Sequence, residues 1–503
     1  MLVIEGRELR FSRLRKTRFV HTQPANARIL DSMRLLLGSS VGLVVGTLVL
    51  ASAACSDDPS AAPATHDAET PESGGGNDAT TGDSSIADAS TDEAAEAEPD
   101  LPLVPMSGKL FDLLGSPVAG VKVVAGKKMT TTAADGTFAL DVHAPYELAF
   151  AYTYPGATGT SVIWVVRGLT RLDPVLEIPV APANRYGTFQ GSVPAITNGQ
   201  AMAISFEPKS RCASLSGYTL ANGPATSYEF ITGWDAAKDL EGTLHLFQYT
   251  SGPDNPASAF LGHLKVDNVT LAHMATKTID FTGPLDAVTT DTIGADLTLP
   301  SGYTKGGSMF ALVRPAAGAP ALAINQTMNS SLSFTFPVPV LAGASYGVLL
   351  RANGPASGEQ SIARRPATVG GTVSVTFPRA AALATPNAGV SGVDSNTIFS
   401  WTGGTGSTAG VSTLQIFPET AGAPAIYITG NGTTAKLPDL AALGVTIPSG
   451  KAFHWLVLAR PGIADVDAFA TEPLPNLSCN GESVLGGDDI SCTFSATRAF
   501  ATK

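Results

Sequence analysis

A chain of 503 residues is too long for one ordinary hydrophobic core, and its length suggests about three or four domains. With 52 glycines, 35 prolines, only 15% charged residues and an apolar fraction dominated by Val, Ile, Leu and Ala, it reads as many short strands joined by turns. A net charge of -12 argues against nucleic acid as a partner, and four cysteines exclude a disulfide-dense scaffold while leaving room for one bridged pair.

From Met33 the chain reads MRLLLGSSVGLVVGTLVLASAAC, with a cation at Arg34, an apolar stretch, then small residues before Cys55. That is the layout of a secretory signal. It resembles the signal of bacterial lipoproteins, in which small residues precede a cysteine that becomes the lipidated first residue. Ala53 and Ala54 fit that pattern; Ser52 departs from it, because Leu is usual three positions before the cysteine. The resemblance implies lipidation at Cys55, and Ser56 beside it implies sorting to the outer membrane of a Gram-negative envelope. The competing reading is a transmembrane anchor, since about 20 apolar residues can span a bilayer. The interior Gly and Ser residues and the small-residue exit favour processing. Each lipid methylene buried adds about 0.8 kcal/mol, so several acyl chains hold a protein durably. Residues 1–32 are strongly basic in RELRFSRLRKTRFVH; they are read as a start codon assigned too early, with Met33 the true start, over a membrane-surface helix.

Residues 55–104 form the lipidated cysteine and an acidic linker. Positions 56–100 have no Lys or Arg and almost no large apolar side chains, too little to offset ordering entropy, so the segment is expected to be disordered. A flexible coil of this length averages roughly 35–40 Å end to end. It is a tether.

The first folded segment, 105–183, alternates at Val121 and Val123 and at Phe138, Leu140 and Val142, the period of a half-buried strand. Asp135-Gly136 predicts a hairpin turn. Gly108, the run GSPVAGVKV of Gly115–Val123, the threonines before Asp135 and DGTFAL resemble the carboxypeptidase regulatory-like domain. That resemblance implies a transthyretin-like β-sandwich with no peptidase activity of its own. Residues 184–289 and 290–380 contain AMAISFEP, GTLHLFQYT, TKTIDFTG, GADLTLP, GSMFALVRP, SLSFTFPVP and GTVSVTFP, short strands suited to two further sandwiches of no recognised family. Residues 381–503 resemble a fibronectin type III-like domain at Pro386, Gly389, Val393, Asp394, Phe399, Trp401, Tyr427, Leu440, Leu443, Gly450 and Trp455. The two tryptophans are then expected between the sheets, each indole N–H needing a partner. PDLAAL is a candidate helical turn. Cys479 and Cys492 fall in an insertion before the last strand. They are expected to form a disulfide, because export places them in an oxidising compartment and Gly486-Gly487 and Asp488-Asp489 can turn the chain between them. Cys212 is left over as a buried thiol. Pairing it with either of the others would require the middle domains to touch the last one.

Two catalytic patterns match and fail on context. Gly38-Ser39-Ser40-Val41-Gly42 fits G-x-S-x-G inside the apolar signal, where no strand-to-helix elbow forms. Gly404–Ala409 fits G-x-G-x-x-A, but the strand-like GVSTLQIF comes next, where a helix is needed to bind pyrophosphate. His245, His263 and His273 could in principle hold zinc, yet they lack H-E-x-x-H spacing and read better as satisfied or exposed histidines. Asp235, Glu241, Asp254 and Asp267 read as solvated turn carboxylates rather than a glycosidase pair. No calcium loop is present.

The sequence therefore points to an all-β protein of tandem antiparallel β-sandwich domains after a disordered N-terminal tether. The expected role is a lipid-anchored cell-surface protein, structural, adhesive or ligand-presenting, and not an enzyme. The alternative is a carbohydrate-binding or glycan-processing lipoprotein with its site in 184–380. Expected partners are the membrane, through the anchor, and a glycan or envelope protein; no cofactor is implied.

Overall fold

Runs of Val, Ile, Thr and aromatic residues, broken every few positions by Gly, Pro, Asn or Asp, form strands throughout. The computed structural model describes residues 102–503 apart from 112–116, 154–160, 179–184, 210–217, 235–238, 252–256, 308, 317–320, 328–330, 404–409, 421, 439, 472–488 and the side chains of 218–222. The signal, Cys55 and the tether lie outside the described residues.

The strands gather around four apolar cores. Around core 1 are β1 (Val104–Phe111), β2 (Lys122–Ala125), β3 (Lys128–Thr131), β4 (Thr137–Val142), β5 (Tyr146–Thr153), β6 (Ser161–Leu169) and β7 (Val175–Glu177). Around core 2 are β8 (Arg185–Ile196), β9 (Gln200–Pro208), β10 (Tyr218–Asn222), β11 (Ala225–Trp234), β12 (Leu240–Ser251), β13 (Ala257–Leu271) and β14 (Thr276–Thr278). Core 3 draws on β15 (Thr289–Thr298), β16 (Thr304–Lys305), β17 (Met309–Arg314), β18 (Leu322–Thr327), β19 (Ser333–Val340), β20 (Ser345–Asn353), β21 (Gln360–Ala367) and β22 (Thr372–Thr376). Core 4 draws on β23 (Ala382–Thr385), β24 (Val390–Val393), β25 (Ile398–Thr402), β26 (Val411–Pro418), β27 (Ala425–Gly430), β28 (Thr434–Lys436), β29 (Ala452–Arg460), β30 (Ile490–Phe494) and β31 (Arg498–Thr502). PDLAAL contributes a single 3-10 turn, Ala441–Leu443, closed by Gly444 at φ 72°. A four-residue helix, α1 (Val466–Phe469), is capped by Asp465, which accepts from Ala468 N–H at 2.7 Å.

Asp135-Gly136 does not make a hairpin. β3 pairs with β2, across the two-residue turn Gly126-Lys127, whereas β4 pairs with β1 in a different sheet. The Asp135-Gly136 turn carries the chain from one sheet of the sandwich to the other. Gly136 is required there: its φ is +77°, and a Cβ would lie 2.4 Å from the Leu110 carbonyl oxygen.

The cores are not beads in chain order. One fifteen-stranded sheet runs β18-β17-β20-β21-β30-β29-β26-β27-β6-β5-β2-β3 through cores 3, 4 and 1, with β16, β24 and β31 beside this path. Core 1 thus adjoins core 4 through the parallel pair β6–β27, and core 3 adjoins core 4 through the antiparallel pair β21–β30. Strands at the junctions are buried on both faces. In β6, Val162, Trp164 and Val166 enter core 1 while Ile163 and Val165 enter core 4. In β9, Met202, Ile204 and Phe206 enter core 2 while Ala201 and Ala203 enter core 3.

A buried polar ladder crosses the β6–β27 seam. Arg460 Nη1 donates to Thr413 Oγ1 at 3.0 Å, Thr413 and Thr429 share a hydroxyl hydrogen bond of 3.0 Å, and Trp164 Nε1 donates to Thr429 Oγ1 at 3.2 Å. The Trp164 ring stacks on Tyr427 with centroids 5.2 Å apart. Beside it, Asp467 accepts from the backbone N–H of Thr170 at 2.9 Å and of Arg171 at 3.0 Å, tying α1 to the end of β6. Trp401 and Trp455 both lie in core 4. Trp455 Nε1 is sealed in without a hydrogen-bond partner, whereas the Trp164 indole N–H is satisfied by Thr429.

Thr429→Val keeps the shape but strands the Trp164 indole N–H and breaks the ladder. It should destabilise by about 1–3 kcal/mol in urea unfolding. Thr376→Val, at an exposed position of β22, should stay within about 0.5 kcal/mol of wild type. Equal effects of the two would show that the ladder does not hold the seam.

Candidate functional site

Two of the three histidines meet on the sheet β10-β9-β12-β13. Alternate residues of a strand share a face, so Ser205 and Glu207 of β9 project together. The register sets His245 of β12 opposite Ser205, and Phe247 opposite His263 of β13. One end of this face, with Phe247 and Tyr249, is covered by core 3. The other end carries polar side chains.

There His245 Nε2 and Glu207 Oε2 are 2.6 Å apart, and His245 Nδ1 meets His263 Nε2 at 3.0 Å. The two imidazoles are nearly coplanar, 14° apart, with centroids separated by 5.3 Å. That spacing matches the N···N distance plus the two ring radii, so the nitrogens meet head-on. With both rings neutral, the order of bonds fixes the tautomers. Glu207 accepts from His245 Nε2–H, His245 Nδ1 accepts from His263 Nε2–H, and His263 Nδ1 ends the chain as a lone pair.

His245 is 1% exposed, while His263 is half-buried under Phe247, whose ring centroid is 4.7 Å away. Burial, with the neighbouring His245 and Lys265, lowers His263 to about 4 against a smaller opposing pull from Asp286. The His263 backbone also exchanges two 3.0 Å hydrogen bonds with Asp286, in the segment leading from core 2 to core 3. A proton added to His263 would go to Nδ1, on the side away from His245, and would place a cation in a half-buried site beside Lys265.

The chemistry this arrangement supports is holding and passing a proton. Ser205 Oγ, directly across from His245, is buried with no hydrogen-bond partner. Both ring nitrogens of His245 are already engaged, so no base remains to activate that hydroxyl. Head-on nitrogens suit a shared proton rather than a tetrahedral metal, whose ligands converge on one point from different directions. Among the described residues no group of three or more His, Cys, Asp or Glu is arranged to hold a metal ion.

The structure brings together His245 and His263 of the three histidines, and leaves His273 apart. His273 Nδ1 accepts from the Tyr186 backbone N–H at 3.2 Å, in the turn after β13. Asp267 is exposed on β13 and its carboxyl is held below the usual range by Lys265 and Thr243. Glu241 is exposed on β12, and Asp235 and Asp254 lie outside the described residues. Glu207 escaped the sequence reading. Its signal was an acidic residue closing a strand apolar but for Ser205, AMAISFEP. Cys492 is buried on β30, opposite Ile362 of β21, so a middle core does touch the last one at a cysteine. Cys212 and Cys479 lie outside the described residues. The G-x-G-x-x-A stretch, 404–409, does too, and it leads into strand β26.

No family model matches the chain, and no curated protein matches it. Solved structures similar to parts of it include the Bacillus anthracis TIE protein, at 9% identity and a TM-score of 0.15 over 55% of this chain and 50% of that one. The chain therefore spans about half the length of that protein. A C-terminal fragment of the pilus adhesin SpaC from Lactobacillus rhamnosus GG matches at 12% identity and a TM-score of 0.11, over 39% of this chain and 97% of that one. The minor pilin GBS52 of Streptococcus agalactiae matches at 11% and 0.13, over 40% and 99%. The last two are a pilus adhesin and a pilin, and likeness of this degree carries no functional argument.

His263 has a folded value below its unfolded 6.5, so the unfolded chain binds more protons between about 6.5 and 4. Its contribution to stability is complete above pH 6.5 and is lost as pH falls toward 4, up to about 3 kcal/mol before solvent screening. His263→Gln should flatten that acid dependence in thermal unfolding; an unchanged slope would count against the relay. At the other end of the chain, non-reducing peptide mapping should recover a linked peptide containing Cys479 and Cys492, and free thiols at both would refute the bridge.

Proposed function

We infer that the protein is a lipid-anchored surface protein of the bacterial cell envelope, with a structural, adhesive or ligand-presenting role and no hydrolase activity. The observation that carries the reading is the fifteen-stranded sheet, which joins the first and last cores of the chain by β6–β27. Backbone hydrogen bonds across module boundaries suit a scaffold whose parts must keep their relative positions. An enzyme built of hinged domains would have less use for them.

Three sequence features support the anchoring. The apolar stretch from Met33 ends in small residues before Cys55, Ser56 comes next, and an acidic linker without Lys or Arg separates it from the first strand. Among the described residues no helix is long and apolar enough to cross a membrane. The resemblances to a carboxypeptidase regulatory-like domain in 105–183 and to a fibronectin type III-like domain in 381–503 fit the same role, since such sandwiches serve as stalks and spacers. The Glu207–His245–His263 group does not argue for hydrolysis, because the neighbouring Ser205 hydroxyl is buried and lacks a base.

Metabolic labelling with a palmitate analogue should mark the wild-type protein and leave Cys55→Ser unlabelled, with the variant released from the membrane fraction. Equal labelling of both would sink the anchor. Turnover of ester, peptide or glycoside substrates above buffer background, abolished by one side-chain change, would overturn the non-enzymatic part.

A further inference from the structure

At the seam between cores 1 and 4 lies a cleft of about 240 Å³, between the two sheets of the last sandwich and closed on one side by the end of β6. Trp401 of β25 and Ile428 of β27 form apolar walls; Arg167 of β6, Ser412 of β26 and Asn431 and Thr434 near the β27–β28 turn contribute polar groups. We propose that this cleft binds a single sugar ring, as the terminal residue of a glycan. The proposal does not depend on the lipid anchor.

Three observations carry it. First, the polar groups are uncommitted. Asn431 and Thr434 are exposed and Ser412 is half-buried, so their polar groups face solvent rather than the protein's own hydrogen-bond network. Arg167 gives its Nε–H to Glu147 and keeps its two terminal amino groups without a partner among the described residues. Polar groups converging on an apolar wall are what fixes a small ligand's orientation. Second, the charge is balanced. Among the described residues no carboxylate lines the cleft, and the Arg167 cation is paired with Glu147, so a neutral ligand fits better than an anion. A pyranose offers the matching surface: C–H groups for the apolar floor, where only the margins of Trp401 and Ile428 reach the cleft, and hydroxyls around the rim for the amide, hydroxyl and guanidinium groups.

Third, glycine keeps the cleft open where the fold does not need it. Gly430 and Gly432 both line it, and neither has a positive φ. A Cβ on Gly430 would meet only Arg167 Cβ at 3.8 Å, and on Gly432 only Thr434 backbone at 3.8 Å, both ordinary contacts. Gly168, also on the rim, is different, since its φ of +83° explains it. Side chains at 430 and 432 would be tolerated by the backbone and would occupy the space. The small volume argues for one ring rather than an extended oligosaccharide.

The test uses the full chain and a panel of free pentoses, hexoses, deoxyhexoses and N-acetylhexosamines, read by saturation-transfer NMR and by tryptophan fluorescence. At least one sugar should bind saturably. Asn431→Ala should weaken it about tenfold by removing one directional partner, and Gly430→Val should weaken it at least as much by filling the cleft. Thermal midpoints should stay at wild type, and Asn431→Ala, in an exposed turn, keeps the test decisive if Gly430→Val folds poorly. No saturable binding by any sugar, or binding unchanged in Asn431→Ala, would overturn the proposal. Saturable binding of a tyrosine-containing peptide in place of sugars would reassign the cleft to an apolar side chain, and overturn it too.

Discussion

The structure depends on one contact made late in the chain, the parallel pairing of β6 with β27. An edge strand such as β6 would otherwise expose a row of backbone donors and acceptors, and long apolar edges invite aggregation. Here the edge is covered by another part of the same chain, and both faces of β6 are filled, one by each core. The buried ladder from Arg460 to Trp164 then fixes register. Sliding β27 by one residue would set Thr429 away from the Trp164 indole and leave two polar groups unsatisfied in the interior. The contact spans 265 positions in sequence. The entropy of closing so long a loop grows only logarithmically, so a fourfold longer loop costs about 1.2 kcal/mol more. A few well-packed strand residues offset that difference.

The all-β class and most strands were legible because alternation and turn residues are local signals. What escaped was which strands carry two buried faces. SVIWVV in β6 and AMAISF in β9 are near-continuous apolar runs, the pattern of strands covered on both sides. Taken one by one they fit any short buried strand, and nothing local says that the second face belongs to a core formed much later in the chain. Asp135-Gly136 misled for a related reason. The dipeptide correctly marks a tight turn with positive φ, but a sandwich uses the same turn to change sheets as to make a hairpin.

The relay shows the same limit at a site. His245 and His263 were visible as residues, and the strand hairpin β12–β13 brings them within reach. Whether they meet head-on, and whether one is held by a carboxylate, depends on β9 entering the sheet beside β12, a pairing of segments 38 residues apart. His273 was grouped with them by its place in the same segment and stands apart, because it lies beyond the end of β13 and serves the Tyr186 backbone. Composition placed ionisable residues in the segment; topology decided which of them interact.

Connectivity also assigns different mechanical positions to the two polar features. The chain enters the folded part at Val104 on core 1, which β6–β27 fastens directly to core 4. The seam cleft belongs to that first fastened pair, with residues from both cores in its walls. The backbone runs from β7 of core 1 to β8 of core 2, but by strand pairing among the described residues core 2 joins the others through β21–β30 and the sheet it shares with core 3. The relay sits at that second shared sheet, where the His263–Asp286 backbone bridge closes the segment between cores 2 and 3. Counted along paired strands, the cleft lies one interface from core 1 and the relay three. Binding at the cleft can therefore be held rigid by the seam alone, while acid weakening of the relay would loosen core 2 without disturbing the strands that form the cleft.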